Sequence, residues 1–160
     1  MTINVGDKIP AIDLFTMGAA GPEKVNTGEI LGTGRVVLFA VPGAFTPGCS
    51  KVHLPGFVQQ ASDLTDKGVD TIACISVNDA FVMDAWAQDQ QVQESITMLA
   101  DGNGEFTEAM GLVMDGSGFG LGTRSKRYAA IIENGVVTSI DVDENGGVDV
   151  SSCSAVLGRL

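Results

Sequence analysis

RVVLFAV at residues 35–41 and VDTIACISV at residues 69–77 are the two stretches that decide the fold. Both are short, apolar and rich in β-branched residues, with glycine or proline nearby, which is typical of buried strands. Between them, residues 49–67 carry apolar side chains at helical spacing and end before Gly68, a pattern that predicts an amphipathic helix kinked or restarted at Pro55. Strand, helix and strand in this order predict a parallel βαβ unit with a right-handed crossover.

The remaining sequence predicts a hairpin and further helices. Residues 128–133 and 136–142 flank Asn134-Gly135, and Asn-Gly suits the type I′ turn between two antiparallel strands. We therefore expect an α/β, thioredoxin-like fold with a mixed central β-sheet flanked by helices, in a single domain over residues 1–160. The other predicted elements are a helix from Asn78 or Asp79 to about Gln90, a strand at 96–100, a helix at 104–110 and a C-terminal helix at 151–160 capped by Ser151 or Ser152.

The composition and charge of the chain argue against some classes of function. The chain has 160 residues, of which 44% are apolar, with a formal charge of -11 and a pI near 4.2. Such an acidic chain is unsuited to non-specific binding of nucleic acid or anionic membranes, which needs a cationic surface. No apolar run approaches the roughly 18 residues of a membrane-spanning helix, and the first ten residues lack a signal or transit pattern. We expect a cytoplasmic protein that acts on small solutes or proteins.

The cysteines, Cys49, Cys74 and Cys153, favour redox chemistry or packing. They are too few and too widely spaced for a disulfide framework, and the sequence has no CxxC pair to hold zinc. His53 is the only histidine, so together with Cys49 it would supply only two metal ligands. We expect neither a metal site nor another cofactor.

PGAFTPGC, residues 42–49, follows the first strand and places Cys49 at the expected start of a helix. Only a thiolate is a strong nucleophile, and a thiol with the ordinary pKa of about 8.5 is only about 3% ionised at pH 7. Lowering a thiol pKa to about 6 takes about 3.4 kcal/mol, of which a helix N-terminus supplies at most about 2. A reactive Cys49 therefore needs a cation or several hydrogen bonds; without them it is a small apolar residue.

This loop also resembles a known family. Thr46 stands three residues before Cys49, so the loop reads TxxC where a dithiol oxidoreductase has CxxC. Pro42, Thr46 and Cys49 match the PxxxTxxC signature of peroxiredoxins, and PGAFTPGCSKVHLPGF at residues 42–57 resembles the type-five subfamily. The similarity extends to ACISVNDAF at residues 73–81 and RSKRY at residues 124–128.

The resemblance to peroxiredoxins implies a role for each motif residue. Cys49 would attack the terminal oxygen of a hydroperoxide and become a sulfenic acid, with release of water or an alcohol. Thr46 would hydrogen-bond within the thiolate and peroxide site, and Pro42 would shield the thiolate from bulk water. The family's arginine from a later strand corresponds to Arg127, with Arg124 as a supporting cation. A solvated charge run at a strand edge is the alternative for these arginines.

A substrate pocket is expected around Cys49. His53 follows four residues later, which would place both residues on one helix face. It either positions the active-site loop or is a structural histidine, and a general-base role lacks a recognisable third member. Backbone N–H groups in the first helical turn are free to face substrate oxygens. The residues expected to line the pocket are Gly48, His53, Phe45, Phe119, Leu121 and Arg124, of which the apolar ones would tolerate organic chains.

The other two cysteines have different surroundings. Cys74 lies in an apolar strand, where a free cysteine usually packs as a small hydrophobic residue. Cys153 is flanked by serines near the C-terminus and is predicted to be exposed and mobile. It falls where some type-five members keep a resolving cysteine and others have none, so its role stays open.

The resemblance further implies a homodimer that reduces hydroperoxides and takes its electrons from glutathione, glutaredoxin or thioredoxin. The alternative function is a non-enzymatic redox sensor, in which oxidation of Cys49 alters binding to a partner protein. Many turnovers of peroxide with a thiol reductant would distinguish the enzyme from a sensor that oxidises once. A thioredoxin-fold binding module without catalysis would leave the PxxxTxxC loop unexplained.

Overall fold

A computed structural model describes residues 1–145 and 147–160 and shows a β-sheet with a hydrophobic core on each face. The strands are β1 (Asp13–Gly18), β2 (Gly21–Asn26), β3 (Arg35–Ala40), β4 (Thr71–Ser76), β5 (Thr97–Ala100), β6 (Val113–Asp115), β7 (Thr123–Ser125), β8 (Arg127–Glu133) and β9 (Val136–Asp143). The α-helices are α1 (Thr27–Ile30), α2 (Leu54–Gln59), α3 (Ala61–Asp66), α4 (Ala80–Asp89), α5 (Glu105–Met110) and α6 (Cys153–Leu157). A π-helical segment, Cys49–His53, precedes α2, and a 3₁₀ turn, Ser117–Phe119, precedes β7.

Seven strands form one mixed sheet in the order β2-β1-β5-β4-β3-β8-β9. The pairs β3–β4 and β4–β5 are parallel, and the remaining pairs are antiparallel. The predicted parallel pairing is confirmed, with Phe39 opposite Cys74. The predicted hairpin is confirmed as β8–β9, and Asn134 and Gly135 have the positive φ angles, 49° and 83°, that a type I′ turn requires. The mixed sheet and its helices form the predicted thioredoxin-like fold.

The single helix predicted at residues 49–67 is divided into the π-helical segment, α2 and α3. Pro55 lies in the first turn of α2, where its missing N–H leaves no bond unmade, so the predicted restart is confirmed. Gln60, with φ -108° and ψ 15°, leaves the helical region and separates α2 from α3. Cys49 and His53, which were predicted to share one helix face, begin and end the π-helical segment, and both form a hydrogen bond with Arg127.

The remaining predictions hold with shifted boundaries. Asp79 caps α4 by accepting a hydrogen bond from the Val82 N–H at 2.8 Å, and Ser152 caps α6 in the same way. The C-terminal helix is shorter than the predicted span of residues 151–160. The β1–β2 and β6–β7 hairpins were not predicted. Within the described residues, no helix has the length and apolar character to cross a membrane.

Successive side chains of β3 point to opposite faces of the sheet, and a hydrophobic core lies on each face. Val37 and Phe39 face the core that contains buried residues of α2, α4 and α6, whereas Val36 and Leu38 face the core that contains α5. Cys49 lies in the first of these cores, together with the two other cysteines. The candidate site is therefore built on the face covered by α2, α4 and α6.

Candidate active site

The loop between β3 and the π-helical segment is held by a hydrogen bond within the loop and by another to Asn78, which follows β4. The Thr46 hydroxyl donates to the Gly43 carbonyl at 2.6 Å, and the Asn78 side-chain oxygen accepts from the Ala44 N–H at 3.0 Å. Phe45 adopts a left-handed φ of 66°, which is uncommon for a bulky side chain, and is 52% exposed. The loop thus has a fixed conformation that leads directly to Cys49.

Cys49 is fully buried at the start of the π-helical segment. The Ser50 N–H donates to the Thr46 carbonyl at 2.9 Å, so the N–H groups of Gly48 and Cys49 precede the first bond of the turn. The Trp86 indole N–H donates to the Ser50 hydroxyl at 3.0 Å and anchors this turn to α4. Cys49 therefore occupies a helix start with free backbone donors, as the sequence predicts.

Arg127 provides the cation that a reactive thiolate needs. It begins β8, is 5% exposed, and its Nη2 donates to the Cys49 sulfur at 3.2 Å. Its Nε is buried without a hydrogen-bond partner among the described residues, whose ion pairs do not involve Arg127. A buried cation without a carboxylate partner favours a nearby anion. The guanidinium therefore supplies the positive charge that the sequence analysis expects beside a reactive Cys49.

His53 orients Arg127 through the terminal guanidinium nitrogen that does not contact Cys49. Its Nδ1 lies 2.9 Å from Arg127 Nη1, and its Nε2 lies 2.9 Å from the Ser151 carbonyl oxygen. A carbonyl only accepts and a guanidinium only donates, so Nε2 carries the proton and Nδ1 accepts from Arg127. Burial lowers the pKa of His53 to about 4, and the positive charge of Arg127 adds to that effect against the opposing Ser151 hydrogen bond. His53 is thus neutral at pH 7, with both nitrogens engaged away from Cys49.

An aromatic layer lies beneath the His53 ring. Phe39 and Phe57 are stacked with their ring centroids 3.9 Å apart, and the His53 ring lies 5.0 Å from Phe39. These rings exclude water from one side of the Arg127–His53 pair, which strengthens its hydrogen bonds. The histidine that the sequence left open between a positioning and a structural role contacts the arginine directly.

Arg124 lies beside the site and not on the sulfur. Its Nε donates to the Leu121 carbonyl at 2.9 Å, and its Nη1 donates to the Val77 carbonyl at 3.4 Å. A Cβ on Gly43 would lie 3.0 Å from Arg124 Nη1, so the glycine permits this close approach. Arg124 therefore links the loops around the site, and Arg127 is the arginine that contacts Cys49.

The apolar side chains predicted to line a substrate pocket are largely open to solvent. Phe119 is 89% exposed on the 3₁₀ turn, Phe45 is 52% exposed, and Leu121 is half-buried. Within one chain, the two phenylalanine rings therefore do not form an enclosed wall. Of the predicted site residues, Arg127 forms a hydrogen bond with Cys49, and His53 forms one with Arg127.

The two remaining cysteines are both buried. Cys74 is completely inaccessible in β4, which confirms its predicted packing role, and burial raises the pKa of its thiol well above the ordinary value. The prediction that Cys153 is exposed is wrong, because it is 2% exposed at the start of α6. The adjacent serine hydroxyls are used internally: Ser151 donates to Asp143 at 2.5 Å and Ser152 caps the helix.

Sequence reasoning missed Asn78, Ser151 and Asp143 as residues that support the site. They act through backbone groups: Asn78 holds Ala44, Ser151 offers its carbonyl to His53, and Asp143 binds Ser151. No local sequence pattern marks a residue whose carbonyl serves a distant side chain. Residues 1–145 and 147–160 contain no group of three or more His, Cys, Asp or Glu side chains that could hold a metal.

Known proteins that resemble this chain in sequence and fold include peroxiredoxins. The family model described as Redoxin matches residues 4–157. Peroxiredoxin-2E, chloroplastic, of Arabidopsis thaliana is 47% identical over 163 residues, which cover 99% of this chain and 70% of that protein. The crystal structure of reduced Prx3 from Vibrio vulnificus in complex with hydrogen peroxide has a TM-score of 0.94 and 48% identity, covering 99% of both chains.

A Burkholderia cenocepacia structure described provisionally as a thioredoxin reductase superposes with a TM-score of 0.97 and 42% identity, covering 100% of this chain and 99% of its own. The TxxC loop of the present chain lacks the paired cysteines of a dithiol oxidoreductase. The named relatives favour an enzyme over the redox-sensor alternative. The chain therefore belongs to the Redoxin family and is a peroxiredoxin, a thiol-dependent peroxidase.

Proposed function

We propose that Cys49 is the nucleophile of this peroxidase and that Arg127 is its catalytic partner. The single observation that carries this assignment is the 3.2 Å contact between Arg127 Nη2 and the Cys49 sulfur in a water-excluded site. The TxxC loop places that sulfur at a helix start, where unpaired N–H groups also favour negative charge. These features supply the cation and the donors that the sequence analysis required of a reactive thiolate.

The reaction transfers one oxygen atom to sulfur. A lone pair of the Cys49 thiolate attacks the terminal oxygen of a hydroperoxide, the O–O bond breaks, and the terminal OH becomes part of a sulfenic acid. The electron pair of the broken bond leaves on the second oxygen, which takes a proton from solvent and departs as water or an alcohol. The hydrogen peroxide bound to the Vibrio vulnificus Prx3 structure supports hydrogen peroxide as one substrate.

We assign several donors and one acceptor near Cys49 to the reacting oxygens. The unpartnered Arg127 Nε and the N–H groups of Gly48 and Cys49 are donors for the oxygen that gains charge as the O–O bond breaks. The Thr46 hydroxyl donates a hydrogen bond to the Gly43 carbonyl, so its oxygen lone pairs are free to accept a hydrogen bond from the O–H of the hydroperoxide. We assign to Pro42, which is half-buried at the start of the loop, the shielding role that the family motif implies.

The sulfenic acid must be reduced by a second thiol. We propose two routes: glutathione, glutaredoxin or thioredoxin attacks Cys49 directly, or Cys153 first forms a Cys49–Cys153 disulfide with loss of water. Because Cys153 is 2% exposed, the second route requires local opening of α6. One equivalent of peroxide without added thiol distinguishes them, since only the second route yields a chain two hydrogens lighter. A peptide containing both cysteines identifies that bond.

Three exposed aromatic rings are consistent with the expected homodimer. Phe45, Phe81 and Phe119 are 52%, 65% and 89% exposed, and Phe45 lies in the loop that leads to Cys49. We propose that a second copy covers these rings and completes the apolar side of the substrate pocket. Sedimentation velocity should show a dimer that Phe119→Ser weakens, and a wild-type monomer at micromolar concentration would exclude this interface. The cytoplasmic location stays a prediction, and the Arabidopsis relative is named as chloroplastic.

Replacement of Cys49 tests the proposed nucleophile. Cys49→Ser should lower peroxide turnover roughly a thousandfold, because a serine hydroxyl supplies almost no anion at neutral pH. Turnover is measured as hydrogen peroxide consumption with dithiothreitol, with Cys74→Ser as the matched control that keeps activity. More than about a tenth of wild-type turnover in Cys49→Ser would place the chemistry on another residue.

A further inference from the structure

A series of contacts runs from the C-terminal part of the chain to the sulfur of Cys49. Arg127 donates to that sulfur at 3.2 Å, His53 Nδ1 accepts from Arg127 at 2.9 Å, and His53 Nε2 donates to the Ser151 carbonyl at 2.9 Å. The most exposed residue of the four is Arg127, at 5%. Since water does not compete for these bonds, the orientation of the guanidinium depends on the position of the Ser151 carbonyl.

The Asp143 carboxylate fixes that carbonyl. Its Oδ2 accepts from the Ser151 N–H at 3.0 Å, the Ser151 hydroxyl at 2.5 Å and the Asp149 N–H at 3.1 Å, and its Oδ1 accepts from the Val150 N–H at 3.2 Å. Asp143 ends β9 directly opposite Arg127 on β8, so the sheet sets the distance between the two residues. Burial alone would raise the pKa of Asp143, but the hydrogen bonds from Ser151, Asp149 and Val150 outweigh it and lower the pKa.

The same stretch carries Cys153. Residues 149–157, which we term the C-terminal segment, contain both the Ser151 carbonyl and Cys153, the first residue of α6. Burial, with a smaller contribution from Asp63, raises the pKa of Cys153 to about 12. Cys153 is therefore a protonated thiol at pH 7 in this closed conformation, and it is 2% exposed. Chemistry at Cys153 therefore requires the C-terminal segment to open, which also removes the Ser151 carbonyl from His53.

We propose that Asp143 and Ser151 are positioning residues, which act through His53 to hold Arg127 against Cys49. The inference rests on the proposed function of Cys49 and adds two residues to the support of its guanidinium. Because the same hydrogen bonds hold the C-terminal segment, loss of the Asp143 carboxylate should both displace Arg127 and expose Cys153.

The first experiment weakens the Asp143 carboxylate in the full-length chain. Asp143→Ala should slow formation of the Cys49 sulfenic acid by hydrogen peroxide roughly tenfold, because a displaced guanidinium misaligns the reacting groups. Asp143→Asn, which keeps one acceptor oxygen, should give an intermediate rate. Glu144→Gln is the matched control, since it removes an adjacent carboxylate whose ion pair with Lys126 is exposed. The rate is measured by quenched flow with dimedone trapping and mass spectrometry.

Two further readouts separate positioning from loss of stability. The pH profile of Cys49 alkylation by iodoacetamide should move to higher pH in Asp143→Ala and stay in place in Glu144→Gln. In a Cys49→Ser background, Asp143→Ala should accelerate N-ethylmaleimide labelling of Cys153 roughly tenfold, because the segment opens more often. Circular dichroism melts identify any variant that fails to fold, and Asp143→Asn provides the second, milder change.

A double-mutant cycle with His53→Gln decides whether the effect passes through the histidine. Asp143→Ala should add less than about a twofold change in peroxide rate once His53 is replaced, since the contact that transmits the effect is already missing. Independent, multiplicative effects would overturn the proposal, as would an unchanged peroxide rate or unchanged Cys153 labelling in Asp143→Ala. A fully active Cys49→Ser chain would instead refute the proposed function.

Discussion

Cys49 and Cys74 lie in the same hydrophobic core and are equally inaccessible to water, yet their surroundings differ in one respect. Cys49 receives a hydrogen bond from Arg127, whereas Cys74 lies within β4 opposite Phe39. Burial raises the pKa of Cys74 well above its ordinary value, the neighbouring Cys49 adds to that rise, and Arg127 offsets it only in part. A buried thiol therefore becomes a candidate nucleophile only where a cation contacts it directly.

Replacement of Arg127 should remove most of the difference in reactivity toward peroxide between Cys49 and Cys74. Arg127→Ala should slow peroxide reduction by roughly a hundredfold to a thousandfold, as loss of a donor to a developing anion does in other enzymes. Arg127→Lys should restore the rate only in part, because an ammonium group cannot donate to the sulfur, the peroxide and His53 in one plane. The rate is measured by stopped flow as a function of pH, and a defect that remains on the high-pH plateau reports on the transition state.

Arg35→Ala is the matched control, since Arg35 starts β3 and pairs with the exposed Glu133. Its rate should equal that of the wild-type chain. If Arg127→Ala reacts normally while Arg124→Ala is inactive, the contact with the sulfur is not the source of reactivity, and the roles assigned to the two arginines are reversed.

The sequence predicted the parts of the fold that depend on local periodicity. The apolar runs of β3 and β4 and the Asn134-Gly135 turn each specify their structure within a few residues. The β1–β2 hairpin was missed because GPEKVN, residues 21–26, starts with glycine and proline and lacks an apolar strand pattern. The π-helical segment was also missed, because its hydrogen-bonding pattern depends on packing around Cys49 and has no compositional signature.

The sequence predicted the site residues that belong to a recognised motif, but it did not predict the residues that support them. PxxxTxxC and RSKRY located Cys49 and Arg127, and the structure brings them within hydrogen-bond distance. Cys153 was misplaced because a serine-rich stretch usually faces water, whereas here Ser151 and Ser152 satisfy internal partners. Phe119 and Phe45 were expected in an enclosed pocket, but the hydrophobicity of a ring does not say whether its own chain or another covers it.

The protonation of His53 gives a stability test of the Cys49 environment. Burial holds the pKa of folded His53 at about 4, against 6.5 for an exposed histidine, with Arg127 lowering it further and Asp143 opposing. Between these values the unfolded chain binds a proton that the folded chain does not, so the free energy of unfolding falls as the pH falls from 6.5 to 4. The expected loss from this residue is about 3 kcal/mol.

Urea unfolding at pH 7 and pH 4.5 measures this loss, and His53→Gln should remove most of it. Protonation of Asp143 also lowers the free energy of unfolding, but only at pH values below the ordinary carboxyl pKa. Burial raises the pKa of Asp143, but its hydrogen bonds outweigh that effect and hold the pKa low. A His53→Gln chain that loses as much stability as wild type over this interval would show that another group titrates there.

The smallest expected effect concerns a single methyl group beside Cys49. Gly48 has φ -64° and ψ -37°, so alanine fits its backbone without strain, but the new Cβ would lie 3.2 Å from Arg127 Nη2. Gly56 in α2 is the matched control, because its Cβ would meet no atom within 4 Å. Gly48→Ala should slow peroxide reduction roughly tenfold by displacing the guanidinium, whereas Gly56→Ala should keep the wild-type rate. Alanine at either position should leave stability unchanged or raise it by roughly 0.5–1 kcal/mol. Equal peroxide rates in both variants would show that Arg127 can move by a few tenths of an ångström without losing its hold on Cys49.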